Sequence, residues 1–452
     1  MKLRQDVQLE NKHIFPIRCC LHHFNLIAKD LSKLKFAREI IRSNCRLVSF
    51  FTSSHFWTFK LREWMISQPG PNRFLRTLCE TRWYSLILVC LGVENFEAGF
   101  QYCLQLSGGE GNIRLPGDVK TIIRSRLHFA KNSQLTQILK PIIDSIGRLE
   151  GRDATLGDIL AEFCYIRSAW MRLPPLDSED ANDFKAHALR ILSERAKPFN
   201  EEVYIVAFYL SPRYKRVAIS RKWDFRTIWN SILNIVKVWG LTINDVQKLR
   251  AEISQYQNDD GPFLNANGLP KDPRTFWNLI VDVPTLRRFA LKLFAIVPHG
   301  AAVERLFSTL SLAKSKIRNR LSVDSLKQIA MLRADLKKDS IRPTVVSRLS
   351  TFTMGNEIEN NIDAVFEEYQ VIDDDDQELL EENIREWELN DEYEAELQNA
   401  EPDILDEFFD FDLYEEEMGF INIPGDNGGI DRNLNLNEDR DPTQWAVEDF
   451  MM

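Results

Sequence analysis

The sequence predicts a mainly α-helical protein, and three observations support this prediction. Apolar residues recur at spacings of three and four along most of residues 14–340, strand-like alternation of apolar and polar residues is scarce, and clusters of proline and glycine separate the periodic segments. At 452 residues, of which 44% are hydrophobic, the chain is long enough for two or three packed units.

The first half of the chain divides into three helical stretches. Residues 14–66 carry a wide apolar stripe that ends at "SQPGPNRF", and the next stretch, with Trp83 near its middle, ends at the glycines of "SGGEGN" (107–112). Residues 112–265 show the pattern of amphipathic helices with polar connections. We therefore expect helices to be interrupted near residue 69 and near residue 107.

In the second half of the chain, the helical pattern is interrupted and begins again at two places. Residues 258–273, "NDDGPFLNANGLPKDP", are rich in turn-forming residues and predict a connection. Pro298, His299 and Gly300 precede a helical pattern from residue 303, and Ser322 is placed to cap a further helix, "VDSLKQIAMLRADLKK". Two apolar-faced helices joined by a short turn need a partner surface, either in the same body or in a second chain.

The charge of the chain changes sign at Gly355. Residues 1–355 hold 54 Lys and Arg against 33 Asp and Glu, a formal net charge of +21, whereas residues 356–452 hold 34 Asp and Glu against three Arg, a net charge of −31. A body this positive attracts polyanions, of which nucleic acid is the commonest. The first part of the chain is therefore expected to bind DNA.

The acidic tail, residues 339–452, is expected to be disordered because its carboxylates repel one another. Three roles stay open for it. It could serve only to keep the protein soluble, it could act as an acidic-hydrophobic activation segment that binds protein partners, or it could mimic DNA on the basic body. The first role is the commonest for such tails, and the second is supported by the aromatic and apolar residues among the carboxylates: Phe408, Phe409, Phe411, Leu413 and Tyr414.

The seven cysteines are odd in number, lie mostly inside apolar segments such as "LILVCLGV", and follow a polar N-terminal stretch without a signal peptide. This pattern predicts reduced thiols and a location in the nucleus or cytoplasm. No apolar run approaches the length needed to span a bilayer, so a membrane function is not expected.

Four motifs occur in one order: "CCLHHFNLIAKDL", with Cys19 three residues before His22; "CETRWYS", with Arg82 and Trp83; "YLSPRYK" at 209–215; and "AAVERLFSTLSLAKSKIRNRLS". Together they resemble the hAT superfamily of DNA transposases over about residues 12–338. The resemblance covers the later part of an RNase H-like catalytic domain, its large all-helical insertion and the C-terminal hAT dimerisation region.

The resemblance implies roles for individual residues. Family members cut and join DNA with three carboxylates that hold two divalent metals, and Glu304 matches the third carboxylate. Trp83 matches an aromatic residue that stacks on a displaced base, and Cys19 and His22 match a motif near the active site.

The first two family carboxylates, both Asp, belong upstream of the Cys-x-x-His motif, but only eighteen residues precede Cys19 here. Asp6 is too close to Cys19, and Asp30 follows the motif. We therefore expect an N-terminally truncated member with a vestigial Glu304, no independent nuclease activity and no cofactor. Mg²⁺ or Mn²⁺ would bind only if an upstream segment completed the triad.

Each assignment has a plainer alternative. Glu304 near a helix start is favourable without any metal, Trp83 suits core packing as well as base stacking, and Cys19 with His22 is half of a zinc site, so a metal-free structural role is favoured. The run "KSKIRNR" (314–320) could be a solvated helix face, a nuclear import signal or a phosphate-contacting strip.

The sequence thus predicts a transposase-derived protein that binds DNA and dimerises or forms a higher oligomer. An active transposase subunit and a protein-interaction scaffold are the alternatives. The expected domains are an RNase H-like remnant with the start of the insertion (1–110), the helical insertion (111–273), the dimerisation region (274–338) and the tail (339–452). The DNA-binding candidates are Arg82, Trp83, Arg318 and Arg320. The dimerisation candidates are Val303, Leu306, Phe307, Leu310, Leu326 and Ile329.

Overall fold

The structure, a computed structural model, describes residues 9–68, 75, 84–107, 114–151, 153–219, 223–264, 266–301, 303, 310, 322–340 and 404–419. Helices dominate these residues and none of them forms a strand, which confirms the mainly α prediction. The chain divides into two compact units. The first holds residues 1–149, 154–298 and 373–422, and the second holds residues 150–153, 299–372 and 423–452. None of the described helices is long and apolar enough to cross a membrane.

The helices of the first unit that lie before residue 150 are α1 (Cys20–Lys33), α2 (Lys35–Ser53), α3 (His55–Ser67), α4 (Tyr84–Asn95), α5 (Glu97–Leu106), α6 (Gly117–Arg124) and α7 (Arg126–Leu149). Those that follow are α8 (Leu156–Arg172), α9 (Glu179–Ala196), α10 (Glu202–Leu210), α11 (Lys215–Ala218), α12 (Phe225–Trp239), α13 (Ile243–Asn258), α14 (Pro273–Leu279) and α15 (Pro284–Phe294). In the second unit, α16 spans Val323–Ser340. Two short helices near the end of the chain, α17 (Ile404–Phe408) and α18 (Phe411–Glu417), belong to the first unit.

The predicted breaks are confirmed where the structure describes them. Helix α3 ends at Ser67, α5 ends at Leu106, and two short 3₁₀ turns occupy the connection between α13 and α14. Ser322 caps α16 as expected, because the Ser325 backbone N–H donates a hydrogen bond of 3.1 Å to the Ser322 hydroxyl. The domain boundaries expected at residues 110 and 273 stay predictions, and the first unit runs through both of them.

Helices α8 and α10 form the centre of the first unit. Every residue from Val203 to Leu210 is buried, so α10 is apolar on all sides and must be enclosed by other helices. It packs against α8, α12 and α15. Gly157, in the first turn of α8, lies so close to α10 that a Cβ atom placed there would be 2.9 Å from the carbonyl oxygen of Ala207. The absent side chain sets the distance between the two helices.

Large aromatic side chains fill the space around this centre, and their polar groups donate hydrogen bonds to backbone carbonyls. The Trp170 indole donates to Ile138 at 2.8 Å, the Trp277 indole donates to Leu210 at 2.9 Å, and the Tyr256 hydroxyl donates to Tyr209 at 3.1 Å. A buried indole or phenol that keeps a hydrogen-bond partner adds apolar contact area without the cost of an unsatisfied polar group.

Asp30 has a structural role. It is 3% exposed on α1, and its carboxylate accepts a 2.7 Å hydrogen bond from Nε of Arg195 on α9 and a 3.2 Å contact from the Lys33 ammonium. The two cations compensate the charge of the buried carboxylate. Removing either cation would leave that charge less well compensated in a low-dielectric environment, which is destabilising. The ion pair joins the first helix of the unit to a helix about 165 positions later.

The structure corrects the predicted disorder of the tail for residues 404–419. Helices α17 and α18 pack on α8, α9 and α11, and the apolar side chains of this stretch are buried. Those side chains are Leu405, Phe408, Phe409, Phe411 and Tyr414. The prediction was wrong here because it weighed the net charge of the whole tail, whereas a local cluster of aromatic residues supplies enough apolar area to dock a short segment.

Replacing Gly157 with Ala should destabilise the first unit. The new methyl group would meet the backbone of Ala207 and Phe208, which cannot move aside as a flexible side chain could, so the expected loss is about 1–3 kcal/mol. A thermal melt followed by circular dichroism should show a Tm lower by several degrees.

Gly147→Ala is the matched control, because Gly147 is a helical glycine with no atom within 4 Å of its added Cβ. This variant should melt at the wild-type temperature or slightly above it, because alanine has a higher helix propensity than glycine. The gain in the free energy of unfolding should be at most about 1 kcal/mol. Equal Tm values for the two variants would contradict the close approach of α8 and α10.

Candidate nucleic-acid interface

Helix α2 carries a stripe of basic side chains on its outer face. Lys35, Arg38, Arg42 and Arg46 follow one another at spacings of three and four, which places them along one side of the helix. The opposite side is apolar and buried, from Phe36 to Phe51. The amphipathic pattern that fixes α2 in the core therefore also directs its four cations outward.

Neighbouring helices add to this stripe. Helix α6 and the start of α7 both pack on α2, and a 2.6 Å ion pair between Arg46 Nε and Asp118 Oδ2 joins α2 to α6. The Lys131 ammonium lies 5.9 Å from the ring of Phe36. We define the α2 basic face as the basic side chains of these three segments: Lys35, Arg38, Arg42, Arg46, Lys120, Arg124, Arg126 and Lys131. Two acidic residues, Glu39 and Asp118, lie in the same segments, so their formal net charge is +6.

A buried polar network lies beneath the α2 basic face. The Asn44 side-chain amide donates 2.7 Å to the Asn132 side-chain oxygen, and the Asn132 amide donates 3.0 Å to the Cys90 carbonyl. His128 Nε2 lies 3.0 Å from the Asn44 side-chain oxygen, which can only accept, so neutral His128 carries its proton on Nε2. These bonds connect α2, α4 and α7. Because both Asn side chains are fully buried, each lost bond would leave an unsatisfied group, which fixes the relative position of the helices.

The environment of the network keeps its titratable groups neutral. Burial lowers the pKa of His128 from 6.5 to about 4, and burial raises the pKa of the Cys90 thiol to about 12. At the surface, the charged form of a titratable group is favoured instead, because the hydrogen bond from Arg46 lowers the pKa of the Asp118 carboxyl. At neutral pH the site therefore presents permanent positive charge above an uncharged, hydrogen-bonded support.

This arrangement is suited to binding phosphate groups. The α2 stripe extends about 16 Å along the helix at 1.5 Å per residue, which corresponds to roughly five base-pair steps of a duplex at 3.4 Å each. Long basic side chains on a rigid helix contact the backbone without reading base edges. The geometry thus predicts binding to the sugar-phosphate backbone with little sequence preference.

The residues proposed from the sequence for DNA contact and catalysis lie elsewhere in the chain. Arg82, Trp83, Glu304, Arg318 and Arg320 are all outside the described residues. Base stacking by Trp83 and the vestigial metal-ligand role of Glu304 therefore stay predictions.

Cys19 and His22 lie at the start of α1. Cys19 is the N-cap residue and is half-buried, whereas His22 lies in the first turn and is exposed. Across the described part of the chain, no three side chains of His, Cys, Asp or Glu converge in a way that could hold a metal ion.

The candidate dimerisation residues belong to the second unit. Val303 is exposed and Leu310 is half-buried, while Leu306 and Phe307 lie outside the described residues. On α16, Leu326 and Ile329 are half-buried, and the following Met331 and Leu332 are exposed. Among the described residues of α16, two apolar side chains, those of Met331 and Leu332, are thus exposed.

Sequence reasoning missed both parts of the α2 site. The spacing of Lys35, Arg38, Arg42 and Arg46 was the available signal for the basic stripe, once the apolar stripe of the same helix was recognised. Asn44 within the apolar side of α2 was the signal for the network, because a polar residue at a core position needs a buried partner. Its partners, Cys90 and Asn132, could not be identified without the fold.

Neither the models of known protein families nor the curated protein sequences contain a significant match to this chain.

The His128 network predicts a specific pH dependence of stability. Between pH 6.5 and about 4 the unfolded chain binds a proton at His128 that the folded chain does not. Acidification through this range should therefore lower the free energy of unfolding, and the contribution should be constant above it. In His128→Gln, the Tm measured from pH 7 to pH 4 should fall less steeply than in the wild type.

His55→Gln provides the control, since His55 is exposed at the start of α3. This variant should follow the wild-type curve. Parallel curves for the wild type and His128→Gln would show that His128 is not held neutral by the fold.

Proposed function

We propose that the protein is a transposase-derived DNA-binding protein that self-associates and does not cleave DNA on its own. The α2 basic face is the observation that favours this function most directly. The eight Lys and Arg side chains lie on α2 and on the two helices that pack against it, α6 and α7. A buried hydrogen-bond network fixes α2 and α7 relative to each other, and an ion pair joins α2 to α6. A rigid basic surface loses little conformational entropy when it binds a polyanion.

The charge distribution supports the same function. Residues 1–355 carry a formal net charge of +21, far more than a protein needs for solubility. The face contributes +6 of this charge from three short segments. Such a field attracts DNA at long range and makes the affinity depend strongly on salt. A nuclear location follows from the proposed ligand.

The resemblance to hAT transposases supports the origin of the protein and its self-association. The exposed Met331 and Leu332 on α16 lie in the region that resembles the family's dimerisation region, and exposed apolar side chains on a helix favour contact with a second copy. The 452 residues of this sequence match one of the three family carboxylates, Glu304, and the proposal of no independent cleavage refers to these residues alone. Within this proposal the protein retains the DNA-binding and dimerisation functions of a transposase.

Substitution of the stripe should reduce DNA binding. In Lys35→Gln/Arg38→Gln/Arg42→Gln we expect about a hundredfold weaker binding, or more, to a 30-base-pair duplex near 0.1 M salt, because phosphate contacts are lost. The slope of log K against log salt should become shallower by about two to three. Fluorescence anisotropy with the full-length chain across a salt series measures both quantities.

The matched control is Lys237→Gln/Lys248→Gln/Arg250→Gln, which removes the same charge from exposed positions on α12 and α13. It should change the affinity and the slope much less. Equal losses in the two triple variants would assign binding to net charge rather than to the α2 basic face. Mg²⁺-dependent cleavage in the same samples, lost in Glu304→Gln, would instead favour an active transposase.

A further inference from the structure

Residues 404–417 fill a groove on the first unit with aromatic side chains. The Phe409 ring meets Phe208 of α10 edge-on at a centroid distance of 5.5 Å, and the Phe408 ring lies 6.1 Å from that of Trp223. The Tyr414 hydroxyl donates a 3.0 Å hydrogen bond to the Ala161 carbonyl on α8. These contacts bury the segment's aromatic side chains against three separate parts of the unit.

Carboxylates of the same segment meet arginines at the rim of the groove. Asp406 pairs with Arg167 at 2.8 Å, and Glu415 pairs with Arg172 at 3.2 Å. Glu417 pairs with Arg216 of α11. Together with Phe208, Trp223 and Ala161, these three arginines define what we name the α8 groove.

Arg167 contacts both an aromatic ring and a carboxylate of the segment. Its side chain is 10% exposed, and its guanidinium carbon lies 3.8 Å from the centroid of the Phe411 ring while its Nη2 binds the Asp406 carboxylate. A planar guanidinium can stack on an aromatic ring and pair with a carboxylate in the same position, whereas an ammonium cannot. The groove is therefore selective for an aromatic residue placed five positions after an acidic one.

The segment makes its contacts as a short, self-contained element. All the anchoring residues lie between Leu405 and Glu417, and 63 residues separate Ile404 from Ser340, the preceding described residue. Recognition therefore resides in the segment itself, as in short peptide motifs that bind grooves through a few anchors.

We propose that the α8 groove is a recognition site for short acidic-aromatic peptides, and that residues 404–417 occupy it as a replaceable intramolecular ligand. The ligand chemistry is an Asp-x-Phe-Phe-x-Phe pattern, followed after two residues by Tyr-Glu-x-Glu. The aromatic side chains enter the groove, and the carboxylates at the two ends of the pattern pair with its arginines. This function is independent of DNA binding.

A cleavable full-length chain tests the proposal with the native groove. A protease site inserted between Ala400 and Glu401 is cut after folding, and a fluorescent peptide of residues 403–419 is then added. We expect the C-terminal fragment to co-elute with the body at micromolar concentration and to be exchanged for the labelled peptide. A peptide with Phe408, Phe409 and Phe411 all changed to Ala, which keeps the same charge, should bind about a hundredfold more weakly or not at all.

Variants of the groove separate recognition from general attraction. Arg167→Ala should weaken uptake of the peptide about tenfold or more, whereas Arg250→Ala, an exposed arginine on α13, should leave it unchanged. Raising the salt concentration from 0.1 M to 0.5 M should weaken uptake only a few-fold, because buried aromatic contacts are not screened.

Two results would overturn the proposal. The labelled peptide could fail to enter because the fragment never leaves, or because the body unfolds once the fragment has gone, as monitored by circular dichroism. Either would make residues 404–417 a permanent part of the core. Equal uptake of the native and Phe-to-Ala peptides would equally refute recognition by the groove.

Discussion

The close contact of α8 with α10 is the constraint on which the first unit depends. Gly157 allows the two backbones to approach, and the apolar surface of α10 on all sides then requires helices on its remaining faces. Helices α12 and α15 supply part of this cover. The N-terminus of α8 is fixed in turn by a capping box, in which the Asp158 carboxylate accepts from the Thr155 backbone N–H at 2.7 Å and from the Tyr214 hydroxyl at 2.9 Å. One small residue and one cap thus set the geometry of the centre.

The same helix α8 connects the core to the acidic segment. One side of it packs on α10, and Ala161, Arg167 and Arg172 on α8 receive residues 404–417. The groove therefore has a rigid floor, since a helix buried among others has little freedom to adjust. A rigid floor favours a defined set of contacts over general attraction between opposite charges, which agrees with buried aromatic side chains flanked by carboxylates that pair with arginines.

The two candidate functional surfaces use charge in different ways. On the α2 basic face the cations are mostly exposed and have two acidic neighbours, so their field extends into solvent and suits a long polyanion. In the α8 groove each arginine has a specific carboxylate, and Arg167 is nearly buried. Interactions of this second kind contribute selectivity, because an unpaired arginine there would be costly. The total charge of +21 does not distinguish the two kinds of surface.

The sequence by itself determined the helical class, the breaks at Ser67 and Leu106, and the Ser322 cap, because periodicity, breakers and caps act over a few residues. The tertiary structure decided the partners of Asn44, the ion pair between Asp30 and Arg195, and the docking of residues 404–417. Each of these joins groups separated by tens to hundreds of positions, and no local pattern specifies such a pairing. For the tail, net charge predicted disorder, but the local balance between aromatic burial and repulsion depended on a groove that only the folded chain creates.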